Sequence, residues 1–401
     1  MYCTRKVTDD IVWVGGSDRR LALFENLFPL PEGVSYDSYV ILDEKTALMD
    51  TADASIGQQF LENVESTLNG RKLDYLVIDH MEPDHCAAVA QVVCRWPEVK
   101  LVGNTKTFQI LGQFFNMPLE GRSIVVKEGD TLSLGRHTLS FVMAPMVHWP
   151  EVMMTYDSTD KVLFSADAFG TFGAFHGTIF ADEADFQNHC LNEARRYYTN
   201  IVGKYGAQVQ AVLKKAAGLE ISVLCPLHGP IWRKDIAWFL EKYDRWSRYQ
   251  PEENGVVIVY GTMYGHTGNA AELLANLLAS RNVPNICVYD ISKTHSSYVI
   301  SDMFRYSNFV LASPTYNNNV YLPMDALLRD MAALNLQNRS YSLIENGSWA
   351  PVAAKKMGEQ LAAMKSMQQV GTTLTVRSAL KNEQMPQIEQ LADAIADSLA
   401  G

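Results

Sequence analysis

Residues Tyr75–Cys86 read YLVIDHMEPDHC, a short apolar run that passes straight into a cluster of metal-ligand side chains. Tyr75, Leu76, Val77 and Ile78 form the kind of continuous apolar segment seen in a strand covered on both faces. His80, Glu82, Asp84 and His85 follow within six residues. Pro83 fixes one backbone torsion and disfavours helix, so the segment is expected to be a loop at a strand end. Four ligand-type side chains gathered there are costly unless something binds them, and two metal ions are the expected occupants.

Three further candidates share this setting. His148 follows the apolar run Phe141–Val147, Asp167 follows Val162–Phe164, and His228 follows Ser222–Cys225 in the phrase CPLHGP. Each alone reads as a hydrogen-bonded structural residue. Together they lie just past short apolar strands, in loops with Gly or Pro, where a sheet-based fold gathers functional groups from distant sequence.

The surrounding pattern supports that fold. Ile11–Val14, Ser38–Leu42 and Thr46–Met49 read as an antiparallel meander. Ile56–Leu68 has helical spacing and ends at Asn69-Gly70. Strands are expected at Lys100–Gly103, Arg122–Val126, Asp130–Leu134, Thr138–Met143, Val152–Tyr156, Lys161–Phe164 and Ile221–Cys225. Helices are expected at Ala87–Arg95, Thr107–Phe115, Phe186–Val202, Gln208–Ala217 and Lys234–Arg248. Two strand-rich halves with helices outside point to a four-layer α/β-β/α sandwich, not a parallel Rossmann sheet.

The 401 residues exceed one comfortable core, so two domains are expected. The polar stretch RYQPEENG, Arg248–Gly255, reads as the boundary, giving domains over 1–250 and 254–401. Beyond it, strands at Val256–Tyr260, Asn285–Tyr289, Asn308–Ala312, Ser340–Ile344 and Thr373–Val376 alternate with helices. Those helices lie at Asn269–Ser280, Tyr298–Tyr306, Pro323–Leu334, Ala350–Met367 and Glu383–Leu399. Five strands alternating with helices make a doubly wound parallel sheet.

Its first loop, YGTMYGHTGNA, leaves a buried strand and enters a helix. Backbone N–H groups there, with the hydroxyls of Thr262 and Thr267, suit a phosphate. The loop has no Lys, so it is not a Walker loop. A flavin monophosphate fits, and so does an ordinary strand–turn–helix connection. SPTYNNN, Ser313–Asn319, and ENGSWAP, Glu345–Pro351, fall at later strand ends, where an open sheet binds its ligand.

Net charge is −11, which argues against nucleic acid or an anionic membrane as partner. No apolar run approaches the ~18 residues of a membrane span, and MYCTRKVTDD has no signal-peptide core. The six cysteines form no C-x-x-C pair, so no rubredoxin-type iron site is expected in this chain. Scattered cysteines fit a reducing cytoplasm.

The residues now on the page resemble a known family. H-x-E-x-D-H followed by His148, Asp167 and His228 is similar to the metallo-β-lactamase-like domain of flavodiiron proteins, also called A-type flavoproteins. MVHWPEVMMTY, LFSADAFG, PLHGPIWR and RRLALFENLFPLPEGVSYDSYV resemble that family's motifs, and the resemblance covers essentially the whole chain. It implies a metallo-β-lactamase-like αββα sandwich followed by a flavodoxin-like domain. One iron is implied at His80, Glu82 and His148, a second at Asp84, His85 and His228, with Asp167 bridging. In some members the residue matching His85 turns away from the metal, which leaves His85 open. Hydrolases of this superfold usually carry H-x-H-x-D-H. Glu82 in place of the second His makes the site more anionic and suits iron.

The resemblance also implies FMN bound by Thr262, Met263, Tyr264, Gly265, His266 and Thr267, by Pro314, Thr315, Tyr316, Asn317 and Asn319, and by Asn346, Gly347, Ser348 and Trp349. ENGSWAP departs from the family's glycine-, serine- and tyrosine-rich phrase, which bears on the flavin environment. The implied activity is reduction of dioxygen to water, of nitric oxide to nitrous oxide, or both. The implied donor is a separate rubredoxin, with reduced deazaflavin as a narrower alternative. A head-to-tail homodimer or a tetramer would bring one subunit's flavin to its neighbour's iron. The competing readings are a metal-dependent hydrolase fused to a flavodoxin-like module, and an electron-transfer flavoprotein with a scaffold domain.

Overall fold

Alternation of side chains builds the first core. Ile11 and Trp13, Tyr39 and Ile41, Ala47 and Met49, and Tyr75 and Val77 are pairs two residues apart, so each pair points to one face of its strand. In the computed structural model, which describes residues 2–400, these pairs pack against Leu139 and Phe141, Val162 and Phe164, and Val223 and Cys225 of a second sheet. Their neighbours Val40, Leu48 and Leu76 are equally buried on the other face. Both faces of these strands are covered, as the apolar run at Tyr75 predicts.

The first sheet runs in the order Arg5–Lys6, Ile11–Trp13, Tyr39–Leu42, Thr46–Met49, Tyr75–Val77, Lys100–Gly103, Ser123–Val125. It is antiparallel as far as Thr46–Met49 and parallel after it. The second sheet is Thr131–Ser133, Thr138–Met143, Met153–Asp157, Val162–Phe164, Val223–Cys225. Pairing within it is antiparallel except between the last two strands. Thr138–Met143, Val162–Phe164 and Val223–Cys225 therefore share one direction. The loops carrying His148, Asp167 and His228 leave the sheet at one edge. The fold is the expected αββα sandwich.

Local structure departs from the sequence reading at several points. Pro83–Cys86 is a helical turn, not a loop. Pro83 occupies the first helical position, where a missing N–H costs nothing, and Glu82 before it stays extended. The helix expected over Phe186–Val202 is divided into Phe186–His189, Leu191–Tyr197 and a π-turn at Tyr198–Val202. Two small hairpins pair Gly16–Asp18 with Val34–Tyr36 and Leu23–Phe24 with Phe28–Pro29. Strands of two or three residues are too short to show a period.

The second compact unit comprises Thr199–Gly206 and Arg245–Gly401, and the first the remainder up to Asp244. Its parallel sheet has the order Ile286–Asp290, Glu253–Tyr260, Tyr306–Tyr316, Arg339–Asn346. A fifth position is shared by Met367–Gln369 and Leu374–Val376, which lie against opposite ends of Arg339–Asn346. This is the flavodoxin-like order 2-1-3-4-5. The helix expected over Ala350–Met367 stops at Ala362, and Ser366 turns the chain with φ 54° into the extra strand piece.

Arg339 fastens the start of this unit. It is buried, and its guanidinium donates to the carbonyls of Met303, Phe304, Tyr249, Gln337 and Asn338 at 2.6–3.1 Å. Met303 and Phe304 are near the end of the helix Ser296–Arg305, whose last carbonyls lack helical partners. Arg339→Met leaves those carbonyls without a donor and is expected to destabilise the second unit by roughly 3 kcal/mol in urea unfolding.

Candidate metal centre and flavin cavity

Two of the candidate metal-ligand side chains, His80 and His228, are aimed by a partner behind them. His80 Nδ1 lies 2.8 Å from Glu151 Oε1, which also accepts the Met81 N–H at 3.0 Å. The carboxylate accepts, so Nδ1 carries the proton and Nε2 points inward. Glu151 is held in turn by Asn104, whose Nδ2 donates to the Glu151 carbonyl at 2.5 Å. Asn104 caps the helix Thr105–Phe114 in a capping box with Thr107. Gly103 is required there, because a Cβ would come within 2.7 Å of Thr107 Cγ2. On the second sheet, His228 Nδ1–H donates to the Ser35 carbonyl at 2.7 Å. Buried Asp50 accepts the N–H groups of Asp79 and His80 at 2.9 and 3.1 Å and so fixes the turn out of Tyr75–Val77.

The seven candidates form two groups. In one, donor atoms of His80, Glu82, His148 and Asp167 lie within 4.8 Å of one another, and in the other those of Asp84, His85 and His228 do. Glu82 Oε2 is 3.2 Å from His80 Nε2 and 3.0 Å from His148 Nε2. His228 Nε2 is 3.2 Å from Asp84 Oδ2, and His85 Nε2 is 3.4 Å from it. Asp167, fully buried, divides its oxygens: Oδ2 lies 3.2 Å from His148 Nε2 and Oδ1 lies 3.0 Å from His85 Nε2. His85 therefore points into the cluster.

These contacts do not satisfy themselves. The Nε2 atoms of His85 and His228 face each other at 3.0 Å. With Nδ1 of His228 committed to a carbonyl, neutral His228 opposes a lone pair to its neighbour. Among the described residues, both carboxylate oxygens of Asp84 and Oδ1 of Asp167 are buried without a hydrogen bond. Lone pairs and carboxylates converging in a buried site call for cations between them. Four imidazoles with three carboxylates fit iron.

Without metal, protons take that place. Burial opposes charge on His148, but the carboxylates of Asp167 and Glu82 outweigh it and push its pKa up to about 9. Burial likewise opposes charge on His228, and Asp84 and Asp167 push it up to about 9. Burial opposes ionisation of Asp167, but the imidazoles of His85, His80 and His148 hold its carboxyl well below the usual range.

Several neighbours carry no sequence signal as site residues. The Tyr197 ring is 5.4 Å from that of His228, and its hydroxyl is buried without a hydrogen-bond partner among the described residues. Its approach explains Gly170, whose Cβ would meet Tyr197 Cε1 at 2.6 Å. Glu25 sits at the hairpin turn with φ 50°. Its carboxyl reaches Glu82, and desolvation with that like charge pushes it up to about 8. Phe24 packs edge-on against His228 at 5.4 Å.

In the second unit a cavity of about 520 Å³ opens at the C-terminal ends of the parallel strands. Thr262, Met263, Tyr264, His266, Thr267, Pro314, Thr315, Asn317, Asn346, Gly347, Ser348 and Trp349 line it. Gly265, Tyr316 and Asn319 are outside the wall. Gly265 caps the helix His266–Ser280 at φ 94° and donates its N–H to Thr262 Oγ1 at 3.0 Å. Tyr316 and Asn319 pair with each other across a turn in which Asn317 and Asn318 are both left-handed. Asn318, Ala350 and Ser378 join the wall without being expected. No Asp, Glu, Lys or Arg lines it among the described residues. A phosphate there would rely on the helix N-terminus, backbone N–H groups and hydroxyls.

The chain is similar in sequence and fold to several known proteins. The ODP family beta lactamase model matches residues 34–229. The anaerobic nitric oxide reductase flavorubredoxin of Escherichia coli is 30% identical over 362 residues, 88% of this chain and 74% of that protein. The rubredoxin oxygen:oxidoreductase of Desulfovibrio gigas superimposes with a TM-score of 0.92 at 27% identity, covering 99% of both chains. The flavodiiron protein of Giardia intestinalis does so at 0.91 and 25% identity, covering 100% of this chain and 99% of that one.

Two outcomes test the site. Glu151→Gln keeps the shape but removes the charge behind His80, and iron affinity in anaerobic chelator competition is expected to fall about tenfold or more. An imidazole with a raised folded pKa adds stability that is fully present below the unfolded value of about 6.5 and lost as pH rises through the folded one. Metal-free protein should therefore lose thermal stability between about pH 6.5 and 9, and iron-loaded protein should not.

Proposed function

Because the chain belongs to the flavodiiron proteins, we propose that it reduces dioxygen to water, nitric oxide to nitrous oxide, or both, at a di-iron centre served by FMN. FMN held in the cavity of the second unit would supply electron transfer from an external donor, and iron held by the clustered imidazoles and carboxylates would supply binding and reduction of the gas. The observation that carries this reading is the split carboxylate of Asp167, with one oxygen against His148 and the other against His85.

In this reading His80, Glu82 and His148 would hold one iron and Asp84, His85 and His228 the other, with the Asp167 carboxylate shared between the two groups. Glu151 and the Ser35 carbonyl orient the two imidazoles that they touch. Tyr197 and Phe24 cover the His228 side of the site and limit the entry of water. The second unit is the FMN domain. The loop Thr262–Thr267 takes the phosphate, while Pro314–Asn317 and Asn346–Trp349 take the ring. The hydrolase alternative has no support in the donor set, where Glu82 Oε2 stands between two imidazoles.

The donor in this reading is a separate rubredoxin, supported by the names of the two relatives that mention one. The assembly is a head-to-tail dimer or a tetramer. Met263, Tyr264, Trp349, Tyr316 and Leu322 are exposed large apolar side chains at or next to the flavin loops, and Leu23 and Leu27 flank the hairpin turn of Glu25. A partner surface covering each of these regions would remove them from water. We place the protein in the cytoplasm, on the strength of its six free cysteines. Among the described residues no helix is long and apolar enough to cross a membrane.

Anaerobic purification is expected to give two irons and one FMN per chain, and zinc in place of iron would contradict the reading. With reduced rubredoxin as donor, Asp167→Ala should lower consumption of both gases by roughly a hundredfold or more while flavin reduction continues.

A further inference from the structure

The flavin cavity holds a pair of hydroxyls, one of which, that of Ser378, the reading above leaves without a task. Ser348 and Ser378 both line it, and Ser378 Oγ donates to Ser348 Oγ at 2.8 Å. They come from different strand ends, one after Arg339–Asn346 and the other after Leu374–Val376.

Three bonds hold the two loops together behind the pair. Asn346 Nδ2–H donates to the Ser378 carbonyl at 3.0 Å, and the Ser378 N–H returns a bond to Asn346 Oδ1 at 3.1 Å. The Gly347 N–H donates to the Val376 carbonyl at 3.1 Å. Ser378 itself takes φ 67°, a left-handed conformation unfavourable for a residue with a Cβ. Such a conformation persists where the surroundings over-determine it, commonly at ligand sites.

Hydrogen counting then leaves the pair one donor over. Two hydroxyls own two hydrogens, and the bond between them uses one. The hydrogen of Ser348 remains, and among the described residues no acceptor takes it. The pair therefore offers one donor to whatever fills the cavity.

We propose that Ser348, supported by Ser378, donates a hydrogen bond to an oxygen or nitrogen acceptor of the flavin ring and binds the reduced flavin more tightly than the oxidised one. The inference rests on the cavity being the flavin site. Two-electron reduction raises electron density on the ring's acceptor edge, and a donor bond strengthens as its acceptor gains negative charge.

The test uses the full iron-loaded chain, stripped of flavin and titrated with FMN and with riboflavin. Ser348→Ala removes the donor. Ser378→Gly removes the supporting hydroxyl and suits the left-handed backbone. Each variant is expected to weaken oxidised FMN about fivefold. Reduced FMN should weaken by a larger factor, so the midpoint potential of bound flavin falls, and riboflavin should lose as much as FMN. Thr262→Ala, at the phosphate loop, should weaken FMN alone. Equal losses for both redox states would reduce the pair to a structural clasp and overturn the proposal. So would affinities unchanged within about twofold, or a loss confined to FMN. If the unaltered chain binds neither FMN nor riboflavin, the flavin reading itself fails and takes the proposal with it.

Discussion

Asp167 is fully buried, and its two oxygens face two separate sets of imidazole nitrogens. A carboxylate so placed is strongly unfavourable alone, because burial removes the water that would solvate it. It persists because cationic imidazoles surround it in the metal-free chain, and because metal ions can stand between the same groups. The rest of the first unit follows from this constraint. The donors must arrive from both sheets, and each must be oriented before the centre closes.

The sandwich meets that requirement with ordinary sheet geometry. Residues two apart fill the core between the sheets, so strands such as Tyr75–Val77 and Val162–Phe164 end at fixed depths. The loops then leave in one direction. Behind the ligands stand Glu151, Asn104, the Ser35 carbonyl and Asp50, each fixing a tautomer or a turn. The second unit applies the same logic to a different ligand. Parallel strands converge their C-terminal ends on one cavity, whose wall is rich in hydroxyl and amide groups.

Much of this was legible in the chain. His80, Glu82, Asp84 and His85 stand out because four ligand types crowd one strand end, and His148, Asp167 and His228 gain meaning only as a set. Glycine and threonine spacing marked the loop after Tyr260. Other parts were not legible. The rule that proline opposes helix fails at Pro83, because the first helical position needs no N–H. The hairpins near Leu23 and Phe28 are too short to carry a period. Glu151 looks like any acidic loop residue until His80 is seen 2.8 Å away. Ser378 lies in a polar stretch with no motif, and only its exchange of bonds with Asn346 brings it to the cavity. The resemblance leaves His85 open, and its orientation, with Nε2 facing Asp167, appears only in the structure.

The claim on which everything else depends is that these seven side chains hold a pair of iron ions around one carboxylate. Crystallography of the anaerobically purified protein, with anomalous scattering measured on both sides of the iron edge, tests it most directly. Two iron peaks per chain on opposite sides of the Asp167 carboxylate, one beside His148 and one beside His85, are predicted. A single peak, or scattering at the zinc edge with none at the iron edge, would contradict the account.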